Sequence, residues 1–452
     1  MKLLLENGAE VNAMGGRYGN ALQAASYKGY EVIVKLLLEN GVDVNAKEGI
    51  FGNALQAASL SGSDAIVKFL LENGADVNGK GGKYGNALQA ASYTSKGYEL
   101  IVKLLLENGA DVNAKGGEYG NALQAASYGG YEMVVKLLLE NGADVNAKEG
   151  IFGNALQAAS LSGSEAIVKF LLENGADVNA KGGEYGNALQ AASYTGHELI
   201  VKLLLENGAE VNGEGGKYGN ALQAASYKGY EVIVKVLLEN GADVNAKGGE
   251  YGNALQAASY GRHEVVVKLL LENRVDVNAE GGKYENALQA VIESYNPYNP
   301  KAEIMKLLLE NGAEVNVEGG RFGNFLQAAS YKGYEAIVKL LLENGADVNA
   351  KGGEYGNALQ AASYAGYEVV VKLLLENGAD VNAEGGIYEN ALNAAFIRDN
   401  KVIMKLLMEN GAEQKAIQHF VHVPHLKSFT PEKIISKSIP MVLYDYNPNG
   451  SL

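Results

Sequence analysis

Tyr218 to Lys247 read YGNALQAASYKGYEVIVKVLLENGADVNAK, and this stretch decides the fold because the chain repeats it. Asn-Ala-Leu-Gln, or a close variant, begins at Asn20, Asn53, Asn86, Asn121, Asn154, Asn187, Asn220, Asn253, Asn286, Asn324, Asn357 and Asn390. The spacing is 33 residues, except for 35 after Asn86 and 38 after Asn286. A fixed period of this length is the signature of stacked supersecondary units.

Each repeat parses physically. Asn20 is a helix cap, and Gln23 three residues on makes a capping-box variant. Ala21 to Tyr27 is then a short helix of small residues that allows close approach, ended by Gly29. Glu31 opens a second helix at the positive end of its dipole. Val32, Val34, Leu36, Leu37 and Leu38 supply its apolar face, and Glu31 and Lys35 stand four apart in the favourable order. Asn40-Gly41 ends it. The stretch from Val42 to Gly52 holds Asp43, Asn45, Gly49 and Gly52 and reads as an extended loop or hairpin.

A repeat of 33 residues with a turn and two helices, ending in LLLENGADVNA, resembles the ankyrin repeat. The ankyrin family usually has Thr-Pro-Leu-His where this chain has Asn-Ala-Leu-Gln. The swap keeps a cap, a tolerated first-turn residue and a polar side chain able to bridge to neighbouring backbone. This dialect resembles the arrays of large fungal NACHT/NLR-like ankyrin proteins. The resemblance implies an all-α solenoid of paired antiparallel helices with hairpin-like loops, which binds protein partners on a concave face.

The composition agrees. The 452 residues include 58 Gly, 27 Tyr, 6 Pro and neither Cys nor Trp. Cys-based disulfides, thiolate zinc sites and Cys nucleophiles are thereby excluded. Lys interrupts every apolar run well short of the ~20 residues that span a membrane. Met1 to Glu6 is too short for a secretory signal, and the expected location is intracellular, cytoplasmic rather than nuclear. The net charge of −15 argues against a general nucleic-acid binder. It favours a protein partner of basic or mixed character. The array is expected to be monomeric.

Residues 1–413 form the array, a half-repeat and twelve repeats, and residues 414–452 a tail that packs as a cap or stays loose. The chain opens MKLLLENGAEVN, a string that recurs from Met305, so Met1 aligns inside a second helix. This leads to the expectation of further repeats upstream of Met1. The ninth repeat, about 284–316, is irregular. Arg274 stands in place of the helix-ending Gly of the repeat before it, Glu285 replaces the Gly before Asn286, and an insertion around Ser294 to Pro300 lengthens the turn. The span Glu293 to Glu303 is expected to be a hinge or docking loop. Glu389 repeats the Glu285 exception in the twelfth repeat.

Motifs for chemistry are decoys. Gly74 to Lys80 mimics a phosphate loop, but Gly81 stands where Ser or Thr belongs and the segment follows a helix. Asp276, Asn278 and Glu280 mimic a calcium loop whose twelfth place is Ala287. His419, His422 and His425 are spaced for a metal, but Pro424 interrupts them. Asn449-Gly450-Ser451 is a glycosylation triplet without a secretory signal. No catalytic residue, cofactor or metal is expected.

Function should lie where repeats differ. The residues before each aromatic are Arg17, Ile50, Lys83, Glu118, Ile151, Glu184, Lys217, Glu250, Lys283, Arg321, Glu354 and Ile387. Their signs alternate with no evident structural demand. Tyr18 and its copies, two before each Asn, are always aromatic and read as a packing ladder. Tyr27, Tyr93, Tyr128, Tyr227, Tyr331 and Tyr364 sit seven after the Asn, and Tyr30, Tyr98, Tyr131, Tyr230, Tyr334 and Tyr367 at the turn between helices. Lys28 lies between the two places. Tyr gives large contact area at low entropic cost. The candidate partner-binding set is these twelve tyrosines with Lys28, Arg17, Lys83, Glu118, Glu184, Lys217, Glu250, Arg321 and Glu354. Two alternatives remain: a sensor arm for a catalytic or nucleotide-switch domain upstream, and a structural spacer.

Overall fold

Asn20 accepts a hydrogen bond from the Gln23 amide at 2.9 Å, and Gln23 Oε1 returns one from Asn20 N at 2.8 Å. This closed box starts the helix Ala21–Lys28, and Gly29, at φ 74°, ends it in the left-handed region. The second helix, Glu31–Glu39, follows at once. The pairing repeats along the chain, for example Ala54–Ser61 with Asp64–Glu72 and Ala221–Lys228 with Glu231–Glu239. The computed structural model describes residues 1–94, 98–295, 302–319 and 321–413. Among them the fold is all-α, a solenoid of paired helices, with one two-residue strand pair, Glu318–Gly319 and Gly323–Asn324. The loops are hairpin-like, closed by single bridges such as Glu48↔Gly52 and Gly215↔Gly219.

First helices of successive repeats pack directly on one another. Small side chains make this possible: Ala54, Leu55, Gln56, Ala57, Ala58 and Ser59 are all buried. In the second helix the buried face is narrower than the sequence suggests. Val34 and Leu37 are buried, but Val32 is 80% exposed. Its copies Leu100, Met133, Leu199 and Val265 are exposed too, so Val32 is not a core position. The core residue is the next one along, as at Ile66 and Ile101. The Glu–Lys pair expected within this helix forms at Glu198–Lys202, Glu231–Lys235, Glu264–Lys268 and Glu368–Lys372. At Lys103, Lys306, Lys339 and Lys405 the ammonium turns to the Glu one turn onward instead.

Repeats are joined by buried amides. Gln23 Nε2 donates to the Ala46 and Gly52 carbonyls of the next loop at 3.0 and 3.1 Å. Gln56 does the same to Gly79 and Gly85, and Gln157 to Ala180 and Gly186. A second clamp sits near the other end of the loop. Asn45 Nδ2 donates to Gly74 O at 3.0 Å, while Asn45 Oδ1 accepts from Asp76 N at 2.7 Å.

The Gln clamp explains why Gly precedes each Asn. A Cβ at Gly19 or Gly153 would overlap the Oε1 of Gln23 or Gln157. The two exceptions fit this rule. Glu285 and Glu389 take φ of 62° and 64°. In the repeat with Glu389 the Gln is shortened to Asn393, and in the repeat with Glu285 the Gln289 amide donates to Glu293 Oε1 at 3.1 Å.

The chain divides into two compact units, Met1–Ser294 and the part from Tyr295 on. The division falls inside the span expected to be a hinge, of which residues 296–301 lie outside the described residues. The tail, 414–452, lies outside them as well, and with it His419, His422, His425 and Asn449.

Replacing Gln157 by Leu keeps the volume but strands two carbonyls and the Asn154 amide in a buried place. The expected loss is on the order of 3 kcal/mol in urea unfolding. Gln157→His, which retains a ring donor, should lose clearly less.

Candidate functional site

The aromatic residues form a zigzag stack along one face. In the first unit Tyr18 lies 5.8 Å from Tyr27, which lies 4.4 Å from Phe51 of the next repeat. The longest run is Tyr185, Tyr194, Tyr218, Tyr227, Tyr251, Tyr260 and Tyr284, with successive centroids 4.6–5.6 Å apart. Leu60 and Leu161 replace a ring in two repeats. In the second unit Phe322, Tyr331, Tyr355, Tyr364 and Tyr388 stack likewise. Stacked pairs of this kind contribute ~0.5–1.5 kcal/mol each beyond burial. Tyr18's place is therefore structural, as expected, and the structure gives Tyr27 and its copies the same role. The loop rings Tyr119, Tyr218 and Tyr251 are buried, whereas the helix rings Tyr93, Tyr194 and Tyr227 are half-buried.

The hydroxyls are paired as well. Tyr119 bonds to Tyr93, Tyr251 to Tyr227 and Tyr284 to Tyr260. Burial pushes the Tyr119, Tyr251 and Tyr284 phenols far up, and the neighbouring hydroxyl adds to it. Tyr194 goes the other way. Burial raises it, but the Tyr218 hydroxyl and the Lys228 ammonium outweigh burial and leave its phenol below the usual value. Lys228 Nζ stands 4.3 Å from the Tyr194 ring centre.

The turn tyrosines pack on the preceding repeat. Tyr98 donates its hydroxyl to Ser61 O at 3.2 Å, and its ring covers Gly62, where a Cβ would strike it. Tyr230 covers Gly196, and Tyr367 covers Gly333. His197 and His263 take the place elsewhere, 3.3 and 2.9 Å from the Leu161 and Tyr227 carbonyls. Tyr334 donates to Tyr295 O at 3.3 Å. Tyr30 is the most open of the set, 55% exposed.

The loop tips are also less free than their variability suggests. Within the units, tip amides donate to the carbonyl of the tip before: Ile50 to Arg17, Lys83 to Ile50, Glu118 to Lys83 and Lys217 to Glu184. The side chains pair in the same direction, Lys83 with Glu118 at 2.9 Å and Glu250 with both Lys217 and Lys283. Arg321 pairs with Glu354 in the second unit. The alternation of sign thus has a structural correlate after all: opposite charges meet between neighbouring repeats. These pairs are solvent-exposed, so screening leaves them weak.

Six of the candidate residues meet in one place. Tyr27, Lys28, Tyr93, Tyr98, Tyr128 and Tyr131 line an open groove of about 730 Å³ in the first unit. Leu60, Ser61, Tyr84, Thr94 and Gly129 complete it. Leu60 and Ser61 are variable places; Tyr84 reads from sequence as packing alone. Thr94 and Gly129 occupy the same variable place as Lys28 and Ser61. Arg17, Lys83, Glu118, Glu184, Lys217 and Glu250 stay on the loop tips, and Tyr227 and Tyr230 lie further along the same unit. Arg321, Tyr331, Tyr334, Glu354, Tyr364 and Tyr367 belong to the second unit. Among the described residues no His, Asp and Glu cluster could hold a metal. Asp276 instead accepts from Asn278 N at 3.0 Å in a local turn. No helix among them is long and apolar enough to cross a membrane.

A family model described as ankyrin repeats in three copies matches residues 1–81, 47–116, 88–182, 156–248, 254–352, 291–385 and 325–418. Among solved structures, the human ASB11 ankyrin repeat domain is similar at 27% identity with a TM-score of 0.43, over 50% of this chain and 99% of that one. No curated protein matches the chain.

Two tests follow from this geometry. Gly62→Ala adds a ring collision to the left-handed strain, whereas Gly41, at φ 76°, has open space around it. Gly41→Ala should cost about 1 kcal/mol and Gly62→Ala clearly more, measured by thermal or urea unfolding. His263 is held below its ordinary value of 6.5 by burial, and the Lys228 charge works in the same direction. The unfolded chain therefore takes up the proton first. Stability should fall as pH drops below 6.5 and level off once the folded histidine is protonated. His263→Tyr should flatten that part of the pH profile.

Proposed function

The chain belongs to the ankyrin-repeat family, and from that premise we propose that it is a non-catalytic recognition module whose protein partner docks on the tyrosine-lined groove. The supporting observation is where variation falls. Positions constant in nearly every repeat, such as Asn20, Leu22 and Gln23, are buried in cap, core and clamp. Positions that change between repeats, Tyr or Leu at one place and Lys, Ser, Thr or Gly at the next, come together along the groove. Tyrosine edges flanked by small polar residues give a surface of large contact area and adaptable hydrogen bonding. Ladder and clamps hold that surface in place before binding, which lowers the entropic cost of association.

The reading is tested by affinity capture with the whole chain. Lys28→Glu combined with Tyr131→Ala alters the groove, while Val232→Lys alters an exposed second-helix position. Partners should be lost in the groove variant and kept in the helix variant, with both folded by circular dichroism. The opposite pattern, or no difference, would contradict it.

A further inference from the structure

The chain is acidic, but its charge is segregated. In the eight repeats before the irregular one, the strip from the seventh place after the Asn to the start of the second helix holds no carboxylate. Among the described residues it reads Tyr27 to Tyr30, Leu60 to Ser63, Tyr93, Thr94 and Tyr98, Tyr128 to Tyr131, Leu161 to Ser164, Tyr194 to His197, Tyr227 to Tyr230 and Tyr260 to His263. Its formal charges there are Lys28, Lys228 and Arg262, all positive. Ten of the eleven residues lining the groove come from this strip. The acidic side chains lie on the second helices and the loops, and tip carboxylates such as Glu118 and Glu250 are already paired with lysines.

The strip also has a metric. Within the strip the equivalent rings Tyr227 and Tyr260 lie 6.4 Å apart, and the loop rings of the same stack keep that pitch, 6.3 Å at Tyr185–Tyr218 and 6.4 Å at Tyr218–Tyr251. Their faces are flanked by the next ring in the stack, 4.6–5.6 Å away at interplanar angles of 16–47°. Ring edges and hydroxyls remain for a ligand. A phenol has one donor and two acceptor sites, so the single bond to a neighbouring ring at Tyr227 and Tyr260 leaves capacity, and Tyr194, bonded to Tyr218 and Lys228, keeps one site. In an extended strand, residues i and i+2 present their groups to the same side about 6.4–6.8 Å apart. That matches the ring pitch. A helix would bring no free backbone groups, because its own turns consume them.

Resting on the proposed recognition function, we propose that the strip binds an extended, acidic peptide segment of the partner. Its main chain runs along the tyrosine ladder, one rung to every second residue. Backbone N–H and C=O groups exchange hydrogen bonds with the half-buried hydroxyls of Tyr194, Tyr227 and Tyr260. Carboxylates of the peptide meet Lys28 and Lys228. The overall acidity of the chain points toward a basic partner, but the surface that would touch it carries the opposite sign. Covered ring faces also leave no platform for bases to stack on, and this sets the strip apart from a single-stranded nucleic-acid groove.

The test uses the full chain and fluorescence anisotropy with three labelled probes: the peptides (Glu-Thr)6 and (Lys-Thr)6 and the oligonucleotide dT12. The acidic peptide should bind saturably and more weakly as salt rises, at least about tenfold tighter than the other two. Lys28→Glu with Lys228→Glu should weaken it roughly tenfold. Tyr194→Phe, Tyr227→Phe and Tyr260→Phe together keep the rings and remove the hydroxyls, and should also weaken it several-fold in a chain that remains folded by circular dichroism. The proposal is overturned if (Glu-Thr)6 does not bind, if (Lys-Thr)6 or dT12 binds as well, or if neither variant matters. Preference for (Lys-Thr)6 that the Phe variant abolishes would remove the acidic partner yet leave protein recognition at the groove standing. That broader reading fails only if groove substitutions spare partner capture.

Discussion

A single buried amide per repeat holds the array together. Gln23 accepts from its own helix cap and donates to two carbonyls of the following loop, so one side chain fixes both the start of a helix and the position of the next hairpin, whereas Gln124, Gln256 and Gln360 keep only the donor half. The Gln side chains are buried and their acceptors buried or part-buried, where an unmade hydrogen bond is costly. The consequences spread outward. Glycine must precede the cap, because the Gln folds back over it. The hairpin, held at both ends, lays its tip amide on the previous tip carbonyl. That spacing sets the pitch of the aromatic stack, and the stack forms one wall of the groove.

Departures from the rule fall in two places, around the irregular repeat and in the twelfth, where Glu389 and Asp399 also hold positive φ. Arg262, Arg274 and Glu285 all hold positive φ, a conformation that costs a non-glycine residue on the order of 1 kcal/mol. Glu285 further coincides with a Gln whose amide donates to a neighbouring carboxylate. The boundary between the two compact units follows within ten residues of that change, at Ser294. Local strain and an altered clamp thus occur together at the place where the chain divides.

Much of this was legible in the sequence because the repeat supplies its own controls. Period, caps, helix-ending glycines and the bridging role expected for Gln are local properties, set within a few residues of Asn20 or Gly29. What the sequence hid depends on neighbours across the stack. Val32 looks like a core residue by composition, yet the helix turns it outward, and only packing against the adjacent second helix selects Ile66's place instead. Tyr27 and Tyr30 look like free surface residues, but one is a rung between Tyr18 and Phe51, and the copies of the other, such as Tyr98, cap a glycine of the previous repeat. Variability at Lys83 and Glu118 suggested recognition, whereas each answers the charge beside it. The groove was legible as a set of variable tyrosines and the variable place beside them, occupied by Lys28, Ser61, Thr94 and Gly129, whereas Tyr84 read as packing alone.

Amide hydrogen exchange in a Gln89→Leu variant probes the Gln clamp most directly. Gln89 Nε2 donates to Ala114 and Gly120 of the next loop, whose own bridge runs from Gly116 N to Gly120 O. Protection of the Gly116 and Glu118 amides should collapse, while that of the Gly215 and Lys217 amides three repeats further on is retained. Unchanged protection at Gly116, or an equal loss at both places, would contradict the account.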